Sequence, residues 1–173
     1  MHYIDTLILG ILQGLTEFLP ISSSGHLVLG QYFLNIYMPG NAFEVVLHIG
    51  TLMSVITVFR IEIKSIICDL SNSSNKFYLY ALVCGTIPAV IVGIVLKDMI
   101  SLIFDDIRFV SLALIITGII LISSRFIIIR NLKLTMLLAF IIGLAQAGAI
   151  IPGISRSGMT ICMGLLMLSL IHI

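Results

Sequence analysis

Five ionisable side chains stand inside long apolar stretches of this chain: Glu17, His26, Glu44, His48 and Arg156. Such groups are costly in hydrocarbon and are usually paired or functional. Glu17 follows Gln13 by four residues, so the two share one helix face. A carboxylate there can hold a divalent metal or act as a general base. The competing reading is a hydrogen-bonded pair that only joins helices. The run Ser22-Ser23-Ser24-Gly25-His26 comes after Pro20. A helix amino terminus with free N–H groups binds phosphate, and serine hydroxyls add donors. One serine becomes a nucleophile if a base lies nearby; His26 is either that base or itself the group that attacks phosphorus. Arg156 sits in Pro152-Gly153-Ile154-Ser155-Arg156-Ser157-Gly158. Its planar guanidinium pairs bidentately with phosphate, so a lone arginine flanked by serines and glycines reads as an anion clamp. A salt bridge to Glu17 is the structural alternative. Glu44 and His48, again four apart, either extend the site or sit at the membrane interface.

These groups need elements to carry them, and composition says which solvent those elements meet. Of 173 residues, 60% are hydrophobic and only 10% charged, with a mean hydropathy of +1.23. A soluble domain carries about 25% charged residues, so the bilayer is the expected solvent. A net charge of +1 does not imply a nucleic-acid partner. Cys68, Cys84 and Cys162 are scattered without metal spacing and read as small core residues. The first apolar run carries Gln13 and Glu17 and lacks a basic leader, so it reads as mature protein.

Stretches 42–59, 77–96 and 109–129 are each long enough to span at about 20 residues per crossing. The 60–76 and 125–133 segments carry the basic bias and are expected inside; the 97–108 loop is expected outside. Stretches 3–34 and 134–167 are apolar but interrupted, at Pro20 with Ser22–Gly25 and at Pro152-Gly153 with Ser155–Gly158. Proline stops a helix, glycine opens a turn and serine caps the next helix. Each stretch is therefore expected as a re-entrant helix–break–helix hairpin. Non-helical backbone survives at membrane depth only where protein or water satisfies it, so such breaks line sites. The two breaks resemble each other, and an odd number of crossings between them makes an inverted repeat whose tips meet near the midplane.

The expected fold class is an all-α, polytopic membrane protein with two re-entrant hairpins in an inverted repeat. Residues 1–130 form the first repeat, and 131–173 begin a second whose remainder is missing. The last six residues, 168–173, are expected to be a sequencing artefact, and His172 has no role.

From the residues alone, the site is an intramembrane anion site of carboxylate, serine, histidine and arginine. A phosphorylated lipid suits it, because the head reaches the pocket while the tail stays in lipid. A transporter or flippase for a phosphorylated lipid or anion is the rival, since broken helices also serve carriers. Transport needs a clamp but not the Ser23, His26 and Glu17 set.

The segment Gln13-Gly14-Leu15-Thr16-Glu17-Phe18-Leu19-Pro20-Ile21-Ser22-Ser23-Ser24-Gly25-His26 resembles the glutamate-rich motif of the undecaprenyl-diphosphatase (bacitracin-resistance) family. Pro152–Gly158 resembles that family's arginine motif, and Phe43–Leu52 its third helix. The similarity runs to about Met167. It implies hydrolysis of undecaprenyl diphosphate to the monophosphate, which recycles the lipid carrier for wall polymers. It implies a divalent cation, Mg2+ or Ca2+, and a bacterial inner-membrane enzyme whose site opens outward. The partners are the polyprenyl diphosphate lipid and the bilayer, with room for a homodimer. Carried onto this sequence, Glu17 assists the base or binds metal with Gln13 beside it, and Ser23 or His26 is the nucleophile. Ser22, Ser24 and Arg156 hold phosphate oxygens, supported by Ser155 and Ser157. Gln13 stands where a second carboxylate is possible, which weakens metal ligation there, and Ser24 stands where threonine is common.

Overall fold

A computed structural model describes residues 3–36, 42–104, 106–126 and 134–167; these form α-helices and no strand. In chain order they are α1 (Tyr3–Glu17), α2 (Ser23–Phe33), α3 (Ala42–Val58), α4 (Arg60–Cys68), α5 (Ser73–Val95), α6 (Lys97–Phe104), α7 (Ile107–Ser124), α8 (Met136–Gly148) and α9 (Arg156–Met167). Two of them, α5 and α7, are long and apolar enough to cross a membrane. A third crossing arises if α3 and α4 are one span, bent by 72°. Arg130, Lys133, Asn41, Tyr37, Asp105 and the tail 168–173 lie outside the described residues.

Burial runs opposite to that of a soluble domain. On α3, Val45, Val46, Ile49, Leu52 and Met53 are exposed, while Glu44 and Thr51 are buried. Gln13, Thr16, Ser22, Ser23, Gln31, Thr117 and Ser155 are buried as well. Apolar groups outside and polar groups inside is the arrangement hydrocarbon solvent selects.

Both expected breaks are present, between α1 and α2 and between α8 and α9. The four arms have 15, 11, 13 and 12 residues. At about 1.5 Å per residue each falls short of the roughly 30 Å hydrocarbon core. Within each pair the arms pack on each other. Leu9 of α1 and Leu27 of α2 are wholly buried, and a Cβ at Gly30 would lie 2.9 Å from the Leu9 and Leu12 side chains. Glycine at that point is what lets the two arms close.

Two expected loops are helical instead. Arg60, Glu62 and Lys64 ride on α4 rather than in a loop, and Lys97 and Asp98 open α6. The residues of α4 are not buried, and its charges interleave with Ile61, Ile63 and Ile67. That pattern fits a helix lying between water and lipid. The α5 helix continues through Pro88. Its Gly85 packs closely on α8: a Cβ on Gly143 of α8 would lie 2.2 Å from the Gly85 carbonyl oxygen.

Candidate active site

The second helix of each broken unit begins with the same cap. Ser22 Oγ accepts the Gly25 N–H at 3.4 Å and lies 3.4 Å from Ser24 Oγ. Ser155 Oγ accepts the Gly158 N–H at 3.0 Å and lies 3.2 Å from Ser157 Oγ. Each serine satisfies one of the orphan donors of a helix start and leaves the first N–H groups open. The caps set the register of the repeat without a gap. Ser22, Ser24 and Gly25 match Ser155, Ser157 and Gly158, Gln13 matches Gln146, and Pro20 matches Gly153.

The two breaks touch reciprocally. A Cβ at Gly25 would lie 2.8 Å from Gly153 Cα, and one at Gly158 would lie 2.9 Å from the Pro20 carbonyl oxygen. Each unit's cap glycine thus meets the other unit's break, as a pseudo-twofold axis requires. Backbone can approach backbone this closely only where no side chain intervenes. Gly153 also has φ +93°, a left-handed conformation that glycine adopts freely. Ser22 has φ +68°, a strained value for a residue with a Cβ.

The joined breaks open into a cavity of about 750 Å³. Glu17, Ser22, Ser23, Ser24, Ser155, Arg156 and Ser157 line it, with Glu44, His48, Thr51, Gln146 and Thr160. Leu52 and Val55 of α3 and Ile100 and Phe104 of α6 add an apolar wall. The expected phosphate-binding residues are therefore together. Gln13 and His26 are the expected site residues that do not line the cavity. His26 Nδ1 is 2.8 Å from the Ser22 carbonyl oxygen, so the ring is tied to its own helix start. Gln13 is 1% exposed; its Nε2 donates to Glu17 at 2.9 Å, and its buried Oε1 has no partner among the described residues. The amide serves Glu17 rather than facing the cavity.

Three groups converge on one oxygen of Glu17. Gln13 Nε2 and Ser23 Oγ donate to Oε2 at 2.9 and 2.5 Å, and His48 Nε2 is 3.4 Å from it. No hydrogen bond involving Oε1 is formed among the described residues. The partner expected for Glu17 in the salt-bridge alternative was Arg156; it is His48. Arg156 is exposed to the cavity, and its guanidinium has no hydrogen bond or ion pair among the described residues. A cation at the start of a helix, where the macrodipole is already positive, lacks compensation until an anion arrives.

Glu44 and His48 belong to this site. Glu44 is 3% exposed; its Oε1 accepts from Gln31 Nε2 at 2.5 Å, and its Oε2 has no partner among the described residues. Their spacing of four was the available signal, and both line the cavity. Thr117 carried no signal, being one of four hydroxyl residues in an apolar span. Its Oγ1 donates to the Gly153 carbonyl at 2.8 Å and accepts the Ser155 N–H at 3.0 Å, which fixes the second break onto α7. Gln146 and Thr160 were likewise not anticipated.

The family described as bacitracin resistance protein BacA matches residues 6–169. An undecaprenyl-diphosphatase of Desulforapulum autotrophicum is 38% identical over 185 residues, covering 95% of this chain and 67% of that protein. One of Syntrophotalea carbinolica is 39% identical, covering 93% and 65%, and undecaprenyl-diphosphatase 1 of Pseudoalteromonas translucida is 40% identical, covering 96% and 66%. The chain thus spans about two thirds of the length of the curated relatives it matches. With both motifs in place around one cavity and the match running through nearly every residue, this chain belongs to the bacitracin resistance protein BacA family.

Proposed function

We propose that this chain is the site-bearing part of a bacterial inner-membrane phosphatase that hydrolyses undecaprenyl diphosphate to undecaprenyl phosphate and inorganic phosphate. One observation carries the reading: two helix starts and an uncompensated arginine face a single cavity, and a serine hydrogen-bonded to a carboxylate stands at one of them. A diphosphate has the charge and the spread of oxygens to engage both starts. Open N–H groups of α2 and α9, with Ser24, Ser157 and the Arg156 guanidinium, would hold the phosphate oxygens. Ser23 Oγ is the nucleophile in this reading. Its proton passes to Glu17, a bond forms from Oγ to the terminal phosphorus, and the bond from that phosphorus to the bridging oxygen breaks. The leaving undecaprenyl phosphate is stable as an anion. Glu17 gives that proton up to solvent; water then attacks the phosphoserine phosphorus with Glu17 taking its proton, the bond from phosphorus to Ser23 Oγ breaks, and Oγ takes the proton back from Glu17 as inorganic phosphate leaves. The fixed N–H dipoles and Arg156 stabilise the phosphoryl charge without reorganising, which is the expected main contribution to rate.

A divalent cation, Mg2+ or Ca2+, would supply further charge neutralisation when bound. Glu17 and Glu44, both of which line the cavity, would hold it. Among the described residues no set of three His, Cys, Asp or Glu side chains is placed to hold a metal alone. Magnesium commonly takes one or two carboxylates and fills its shell with phosphate oxygens and water, so two carboxylates fit. Gln13, turned away from the cavity, does not. Apolar residues of α3 and α6 provide a wall for the start of the lipid tail, and α6 lies in the 97–108 segment expected outside. The arms on either side of each break, too short to cross alone, support re-entrant hairpins. A carrier for the same lipid would use the clamp, but has no need of the Ser23–Glu17 contact.

The test is phosphate release from undecaprenyl diphosphate in detergent with Mg2+ or Ca2+, by this chain and by a chimera carrying the carboxyl-terminal third of a relative. Metal-dependent release is expected. Lipid binding without release by a folded chimera would favour the carrier.

A further inference from the structure

The side chain that faces Glu17 from across the cavity is His48, outside both broken units and outside both motifs. Its Nδ1 lies 2.7 Å from the carbonyl oxygen of Glu44. A carbonyl only accepts, so Nδ1 carries a proton and the ring orientation is set by the helix itself; Nε2 then donates to the Glu17 carboxylate in the imidazolium form, in which both ring nitrogens carry protons. That bond turns Nε2 towards Glu17 Oε2, at 3.4 Å. The base of α3 is fixed in turn. Glu44, one turn earlier, takes the Gln31 amide of α2 at 2.5 Å in a buried contact. Thr51, facing the same cavity, bonds the His48 carbonyl at 3.0 Å. A rigid path therefore runs from α2 through Gln31, Glu44 and His48 back to Glu17.

Resting on the phosphatase reading, we propose that His48 is a positioning residue. It holds one carboxylate oxygen of Glu17 together with Ser23 and Gln13, so that the oxygen facing Ser23 stays in line. The pair is partly solvated, with His48 39% and Glu17 31% exposed. A pair so placed contributes little to folding. Its effect is on geometry, where a displacement of about 1 Å costs on the order of 100-fold in rate. Glutamine in place of His48 puts an amide N–H near the position of the imidazole Nε2, whereas leucine keeps bulk and removes the donor.

The experiment compares the parent with His48→Leu and His48→Gln for phosphate release, reading kcat and KM separately. The expected result is a kcat about 10- to 100-fold lower for His48→Leu at a KM within about twofold. His48→Gln should recover most of that loss, with all three proteins melting alike. A raised KM at unchanged kcat, or a glutamine variant as slow as the leucine variant, overturns the proposal. A second readout does not need turnover. In protein labelled with 15N-histidine, the Nε2 resonance that disappears in His48→Gln identifies His48, and Glu17→Gln should shift it. No shift overturns the proposal. If the parent releases no phosphate, the phosphatase reading fails, and the 15N result alone decides whether His48 holds Glu17.

Discussion

Placed in the register that their caps define, the two broken units put Ser23 on Arg156 and Glu17 on Ile150, while Ser22, Ser24 and Gly25 fall on Ser155, Ser157 and Gly158. The residues that build the helix start, cap it and let it approach its partner are the same. The residues that face the cavity differ. One unit presents a hydroxyl held by a carboxylate; the other presents a cation and an isoleucine at the carboxylate's place. In the proposed reading, two helix starts built alike bind the anion, and the residues that differ between them separate making a bond from holding a charge. The buried surroundings follow the same division. Glu17 is surrounded by Gln13, Ser23 and His48 on the first side, whereas Thr117 of α7 ties down only the backbone of the second.

If that division is right, damage to the two units should differ in kind. The largest effect is expected for Glu17→Ala, which removes the proton acceptor: phosphate release should fall about 100- to 10,000-fold. Binding of a non-hydrolysable bisphosphonate lipid, followed by calorimetry, should change much less. A variant that lost binding first would make Glu17 part of the clamp and erase the contrast. Next comes Arg156→Lys. Losing a bidentate charged contact corresponds to about 1.5–3 kcal/mol, so KM should rise about 10- to 150-fold while kcat moves less. A lysine enzyme as good as the parent would argue that only charge matters there.

Packing predictions bear on what the units share. Gly143→Ala would place a methyl 2.2 Å from the Gly85 carbonyl oxygen, and should lower stability by about 1–3 kcal/mol in thermal melts in detergent. Gly25→Ala and Gly158→Ala would each meet the opposite break and should cost similar amounts; unequal costs would show that the pseudo-twofold contact is only approximate. The smallest effects concern the caps. Ser155→Ala should cost about 1 kcal/mol, the usual loss for an N-cap serine. Ser22→Gly should be close to neutral, because glycine weakens a cap by only about a few tenths of a kcal/mol and relieves the positive φ at that position.

Much of this was legible without coordinates. Low charge and long apolar runs required a bilayer, and the Pro, Gly and Ser clusters at 20–25 and 152–158 required breaks, because proline removes a helical donor and serine supplies a cap. The two serine clusters that line the cavity followed from those same residues. The register of the repeat was harder. Aligning Gly14–Glu17 with Gly143–Gln146 leaves a few residues of slack, and only the paired cap bonds remove it. The helices α4 and α6 were read as loops because charge density marks a segment as leaving hydrocarbon without saying whether it stays helical.

What the sequence determined by itself is local and periodic: which segments are apolar, where each helix must stop, and which side chains carry charge into a solvent that penalises it. Orientation across the cavity is not local. Gln13 and Glu17 share a face, yet only Glu17 reaches the cavity; His26 adjoins the serines, yet its ring turns back to the Ser22 carbonyl. His48, 31 positions from Glu17 in the chain, becomes its neighbour because Gln31 and Glu44 pin α3 against α2. Contacts between residues so far apart depend on how helices pack, and packing is decided by the whole set of buried faces at once.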